Sequence, residues 1–97
     1  MNIIWEKVTQ ENFEKMLGKI PTFLRETARE KVSKKAQSLA QKDHRSEVIE
    51  KDMVDAFFSQ TPFGFHGPMK NDMKEFGIDY TKYGHTENPW EAFFKKP

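Results

Sequence analysis

Between Lys19 and Ala40, on either side of Pro21, apolar residues recur about every four positions: Ile20, Leu24, Ala28, Val32, Ala36 and then Leu39 and Ala40. Pro21 suits the first position of a helix, where its missing N–H and fixed φ cost nothing. The spacing predicts one long helix from Pro21 to about Lys42, with a narrow apolar stripe on one face. Arg25, Glu26, Arg29, Glu30, Lys31, Lys34 and Lys35 occupy the other faces, with Glu30 and Lys34 an i,i+4 pair of opposite charge and Glu26 and Glu30 a like-charged one. The alanines in the stripe cover little area but allow a second helix to come close. A chain built around such a stripe needs bulky residues from elsewhere.

Both flanks supply them. After the apolar segment Asn2-Ile3-Ile4-Trp5, Thr9 resembles an N-cap with Glu11 in the first turn. Phe13, Met16, Leu17 and Ile20 follow at helical spacing, with Trp5 as cover. This first helix should stop near Gly18, in the left-handed position past its end. Because the residue before a proline is pushed out of the helical region, a corner is expected at Lys19-Ile20. Asp43-His44-Arg45-Ser46 reads as a polar turn, Glu47-Val48-Ile49 as a short extended segment, and Glu50–Phe58 as a third helix presenting Met53, Val54, Phe57 and Phe58. The expected core is Phe13, Leu17, Leu24, Val32, Leu39, Val54 and Phe57. The fold class is all-α: a small three-helix domain over residues 1–61 with a long central helix, followed by an irregular aromatic-rich tail over 62–97.

That tail changes character at Pro62. Eight aromatic residues lie beyond Thr61: Phe63, Phe65, Phe76, Tyr80, Tyr83, Trp90, Phe93 and Phe94. They are too many for a solvated linker, whose composition is normally poor in aromatics. Yet Pro62, Gly64, Gly67, Pro68, Gly77, Gly84 and Pro89 interrupt the segment too often for long elements. Short helices are expected over Pro68–Phe76, with Gly77 after the end, and again from Asn88. Ile78 to His85 reads as loop. Such a segment gains order by covering a preformed surface, either its own domain or a partner. Interfaces draw much of their binding energy from aromatic anchors. Phe63, Phe65, Tyr80, Tyr83, Trp90, Phe93 and Phe94 are therefore the candidate partner-binding residues, and removal of the tail should leave three folded helices. Arg25 and Arg29, one turn apart, can bind a partner carboxylate in two-pronged fashion or tie the first helix to the second.

Charge and composition exclude several functions. Lys and Arg number 16 against 15 Asp and Glu in a chain of 97 residues, with both signs interspersed. A protein that blankets nucleic acid is expected to be far more basic. With no cysteine, the chain alone has no disulfide, no thiolate nucleophile and no Cys-ligated iron–sulfur cluster. No apolar run approaches membrane-spanning length, and Met1–Glu6 lacks the features of a signal peptide, so a cytoplasmic protein is expected. His44, His66 and His85 are isolated from one another. No HExxH, glycine-rich phosphate loop or Gly-x-Ser-x-Gly elbow is present. Neither a catalytic residue nor a metal ligand set is assigned, and the chain is expected not to be an enzyme.

Ile20-Pro21-x-Phe23-x-Arg25, the alanine-bearing helix with Ala28, Ala36 and Ala40, and Val48-Ile49-x-x-Asp52-Met53-x-x-Ala56 together resemble a known pattern. It is that of the small C-terminal domain of the B subunit of light-independent protochlorophyllide reductase, which also occurs as a free-standing protein. The likeness spans roughly Trp5 to Phe57. It departs at Leu24, where that family often has valine, and in the Asp43–Ser46 turn; residues after Thr61 have no counterpart in it.

The resemblance implies a non-catalytic accessory or adaptor subunit. Such a subunit would dock on a larger (bacterio)chlorophyll-handling or photosynthetic reaction-centre-type complex, including a membrane-associated one to which it would be peripheral. A second expectation is an accessory factor in light-independent protochlorophyllide reduction. A third, from a different class, is a small helical nucleic-acid-binding protein, disfavoured by the balanced charge. No cofactor is expected on this chain alone. Contact with a (bacterio)chlorophyll or related tetrapyrrole of the partner is implied by the resemblance, with His66 and His85 the candidates for ligating its magnesium.

Overall fold

The structure, a computed structural model, describes residues 3–85. It is mostly helical. The elements are β1 (Ile4–Trp5), α1 (Lys7–Gly18), α2 (Thr22–Lys42), β2 (Glu47–Val48), α3 (Glu50–Gln60), a 3-10 turn at Phe63–Phe65, α4 (His66–Glu75) and a second 3-10 turn at Tyr80–Tyr83. Among the described residues no helix is long and apolar enough to cross a membrane.

The central helix is the expected one. Pro21 stands one place outside it, as the cap, with φ −51° and ψ 140°. Val32, Ala36 and Ala40 are buried, and α2 and α3 form the most extensive helix pair. Met53, Val54, Ala56 and Phe57 of α3 are buried with them. Bulk from α3 thus fills the space that the alanines leave.

The expected core fails at Leu24, which is 47% exposed, and Leu39 is only half-buried. Two physical reasons account for Leu24. Apolar residues four apart advance about 40° round the helix at each step, so the stripe walks off the contact face. In addition α3 has 11 residues against 21 in α2, so it covers only part of the longer helix. The first turns of α2 project beyond it.

Helix ends depart from expectation in an instructive way. Thr9 is not the cap of α1. Glu6 is, and the buried Thr9 donates its hydroxyl to Glu6 Oε1 at 2.6 Å. Gly18 does not take a left-handed conformation; among the described glycines Gly77 and Gly84 do. The left-handed residue after α2 is instead His44, at φ 58°. His44 N–H bonds to Gln41 O at 2.9 Å and Arg45 N–H to Ala40 O at 2.9 Å, a reverse-bonded helix end that glycine usually serves. After α4 the same device recurs with Gly77, where Gly77 N–H donates to Lys74 O and Ile78 N–H to Met73 O.

The extended segment before α3 is present, and it has a partner. β2 pairs in parallel with β1, Ile4 opposite Glu47 and Trp5 opposite Val48. This pairing holds Trp5 over α1, where its ring stacks on Phe13 at 4.7 Å.

Beyond Pro62 the chain is more ordered than a loop-rich tail. α4 starts at His66 rather than Pro68 and buries Met69 and Met73. The stretch expected to be loop contains Ile78 and Tyr80, each 2% exposed, and the turn at Tyr80–Tyr83. Met69, Met73, Ile78 and Tyr80 belong to the same cluster as Phe13, Val32 and Phe57. One core therefore runs across Thr61. The short helix expected from Asn88 lies outside the described residues.

Candidate functional site

Two regions combine exposed apolar side chains with dense polar fixing. The first is the corner between α1 and α2. A helix leaves its last carbonyls without partners, and here Arg25 reaches back to fill them. Its Nε donates to Leu17 O at 2.9 Å, and its Nη2 to Ile20 O at 3.0 Å and Gly18 O at 3.3 Å. Arg29 adds a two-pronged pair to Glu14, 2.6 and 3.1 Å, and a looser contact with Glu26 at 3.4 Å. The bond from Glu14 and the neighbouring carboxylates hold the Arg29 guanidinium even more firmly charged than usual. Both arginines proposed for partner binding are thus already engaged within the chain.

In the motif Ile20-Pro21-x-Phe23-x-Arg25, Ile20 packs against the core, Pro21 caps α2 and Arg25 closes α1. Phe23 does none of these. It is 83% exposed, with Leu24 beside it. Sequence reasoning placed Leu24 inside and gave Phe23 no site role. Exposure at this end follows from the length mismatch of α2 and α3, which no local pattern announces.

The second region lies where the chain returns over α3. Tyr83 donates its hydroxyl to Glu50, and His85 Nε2 lies 2.7 Å from Asp55 Oδ1. Asp55 also accepts from Lys51 at 2.8 Å, a bond that raises the pKa of the Lys51 ammonium. Burial, with the Glu50 carboxylate beside it, pushes the Tyr83 phenol well above its ordinary range. The His85 ring stacks flat on Phe58, 3.9 Å between centroids and 4° between planes. Phe58 meets the edge of His66 at 5.1 Å, and His66 meets Phe63 at 5.5 Å. His66 Nε2 is bonded to Thr61 O at 2.9 Å.

Of the aromatic residues proposed as anchors, Phe63 and Phe65 are exposed, at 70% and 66%. Tyr80 is core and offers no surface, and Tyr83 is half-buried against Glu50. Trp90, Phe93 and Phe94 lie outside the described residues. His44, His66 and His85 are not brought together into a metal site: no group of three or more potential ligands occurs among the described residues.

A third polar centre is structural. The buried Asp52 accepts both Arg45 Nη1 and Nη2, at 2.7 and 2.9 Å, and the Ile49 N–H at 2.9 Å. It so ties the turn after α2 to the start of α3. Its bond raises the Arg45 pKa further, with Asp43 adding to it. Asp43, Arg45 and Asp52 line a shallow open depression with Leu39, Lys42 and Lys51. An acid three places after an extended residue is a legible helix-start signal; its arginine partner seven residues upstream is not.

No curated protein and no solved structure matches this chain. The family described as Protein of unknown function (DUF2621) matches residues 1–86, and the chain belongs to that family.

Proposed function

We propose that this chain is a protein-docking module, an accessory or adaptor subunit whose contact surface is the α1–α2 corner. The observation that carries the reading is Phe23. An aromatic ring left 83% exposed beside Leu24 stands at a corner whose two helices are tied together by the Arg25 cap and the Arg29–Glu14 pair. Rigid backbone under an exposed aromatic lowers the ordering cost of binding, and aromatic anchors dominate interface energies. The corner also lies within the span shared with the family.

Phe23→Ser tests it. The variant should keep the wild-type melting temperature, because the ring contributes little to the core, and should lose capture of the partner from a native extract. Capture at wild-type strength would refute the corner as the docking face. The narrower form, docking on a (bacterio)chlorophyll-handling or photosynthetic complex, rests on the Ile20-Pro21-x-Phe23-x-Arg25 likeness alone. Pigment absorbance in the captured material tests that narrower form.

A further inference from the structure

The second exposed apolar region suits a different occupant. We propose that Phe63 and Phe65 insert into the interfacial layer of a lipid bilayer and hold the chain against a membrane surface. Binding there is independent of the docking corner.

The Phe63–Phe65 turn is a projection and not a groove. Its two rings are 70% and 66% exposed, and the turn packs chiefly on α4, the helix that follows it. A Cβ added at Gly64 or Gly67 would meet nothing within 4 Å, so open space surrounds the backbone between and beyond the rings. The base of the projection is fixed. Phe65 N–H donates to Pro62 O at 2.9 Å, and His66 Nε2 lies 2.9 Å from Thr61 O. Rings presented on a pinned turn lose little freedom on binding. Exposed apolar clusters of this kind mark contacts with proteins or with membranes.

Area and charge favour the membrane. Taking about 200 Å² for a whole phenylalanine side chain, the two rings expose roughly 270 Å² at these fractions. One side of a stable protein interface buries about 800 Å², within a polar rim that hydrogen-bonds to the partner. Here the carbonyls of Thr61 and Pro62 are already bonded within the turn. No acidic residue occurs from Ala56 to Asn71, although the chain carries 15 of them. A bilayer asks for neither a large flat area nor a matching rim, because each ring that enters it gains by its own burial. Lys70 and Lys74, one turn apart on α4, supply the sign of charge that anionic headgroups attract.

The test uses the full chain and vesicles of equal parts phosphatidylcholine and phosphatidylglycerol. Wild type should sediment with the vesicles. Phe63→Ser combined with Phe65→Ser should weaken that binding by at least about tenfold while keeping the wild-type melting temperature. No sedimentation of wild type, or undiminished binding by the double variant, would overturn the proposal. Phe65→Trp, read as its emission minus that of wild type, gives a second measurement should the double variant fail to fold. The added tryptophan should shift to the blue on mixing with vesicles and be quenched by brominated lipid; an unshifted, unquenched signal would leave the ring in water and the proposal refuted. A dimer that forms without lipid and is lost in the double variant would assign the turn to a second copy of the chain instead.

Discussion

Met73→Ala and Leu24→Ala, compared side by side, decide where the core of this domain lies. Periodicity places Leu24 inside and leaves Met73 in an irregular tail, whereas in the structure Met73 is 0% exposed and Leu24 47%. Truncating a fully buried methionine removes its transfer free energy and leaves a cavity, about 2–5 kcal/mol. Met73 touches the core from α4, and Ile78 N–H bonds to its carbonyl, so the site has little freedom to collapse. A cost of about 3 kcal/mol is expected. Leu24 gives up only part of its surface to the protein, and its truncation should cost under about 1 kcal/mol. A domain of this size is stable by roughly 5–15 kcal/mol. With a urea slope near 1.5 kcal/mol/M, the Met73 variant should unfold about 2 M earlier than wild type, and the Leu24 variant within about 0.7 M. Equal shifts, or a larger one for Leu24, would refute the single core that runs across Thr61.

The other expectations are smaller in scope. Truncation before Pro62, which strips Met69, Met73, Ile78 and Tyr80 from the core, should abolish the cooperative melt rather than leave three folded helices. His44→Gly should raise stability by about 1 kcal/mol in a urea melt, because a left-handed position strains any residue bearing a Cβ; a loss would contradict the φ of 58°. Arg25→Ala should cost roughly 1–2 kcal/mol by exposing three carbonyls to compete for water, and Arg25→Lys should recover only part of it. Tyr83 carries a phenol whose folded pKa is raised above the ordinary value near 10. Its contribution to stability is therefore complete below about pH 10 and is lost as pH rises through the folded value. Absorbance at 295 nm should show late ionisation that Tyr83→Phe removes.

Much of the fold is local and so was legible. Gly, Pro and the 3.6-residue period set the extents of α1, α2 and α3 to within a few residues, and the short extended segment Glu47-Val48-Ile49 marked where α3 begins. These features depend on backbone sterics and on neighbours within one helical turn. The same local logic placed Gly77 just past a helix end, where it takes the left-handed conformation. It misassigned Gly18 because a side chain, Arg25, closes α1 without a conformational reversal.

What the sequence could not determine depends on partners far apart in the chain. Phe23 is exposed because α3 is shorter than α2, and Tyr80 is buried because α4 returns the chain to the same core. Both are aromatic residues in segments of similar polarity, so composition cannot tell them apart. His85 and Asp55, thirty residues apart, pair only once the final turn is packed on α3. Charge and hydrophobicity decided which residues need partners. Helix lengths and the direction of each connection decided which partners they found, because a contact between distant residues forms only after the chain between them has been folded into place.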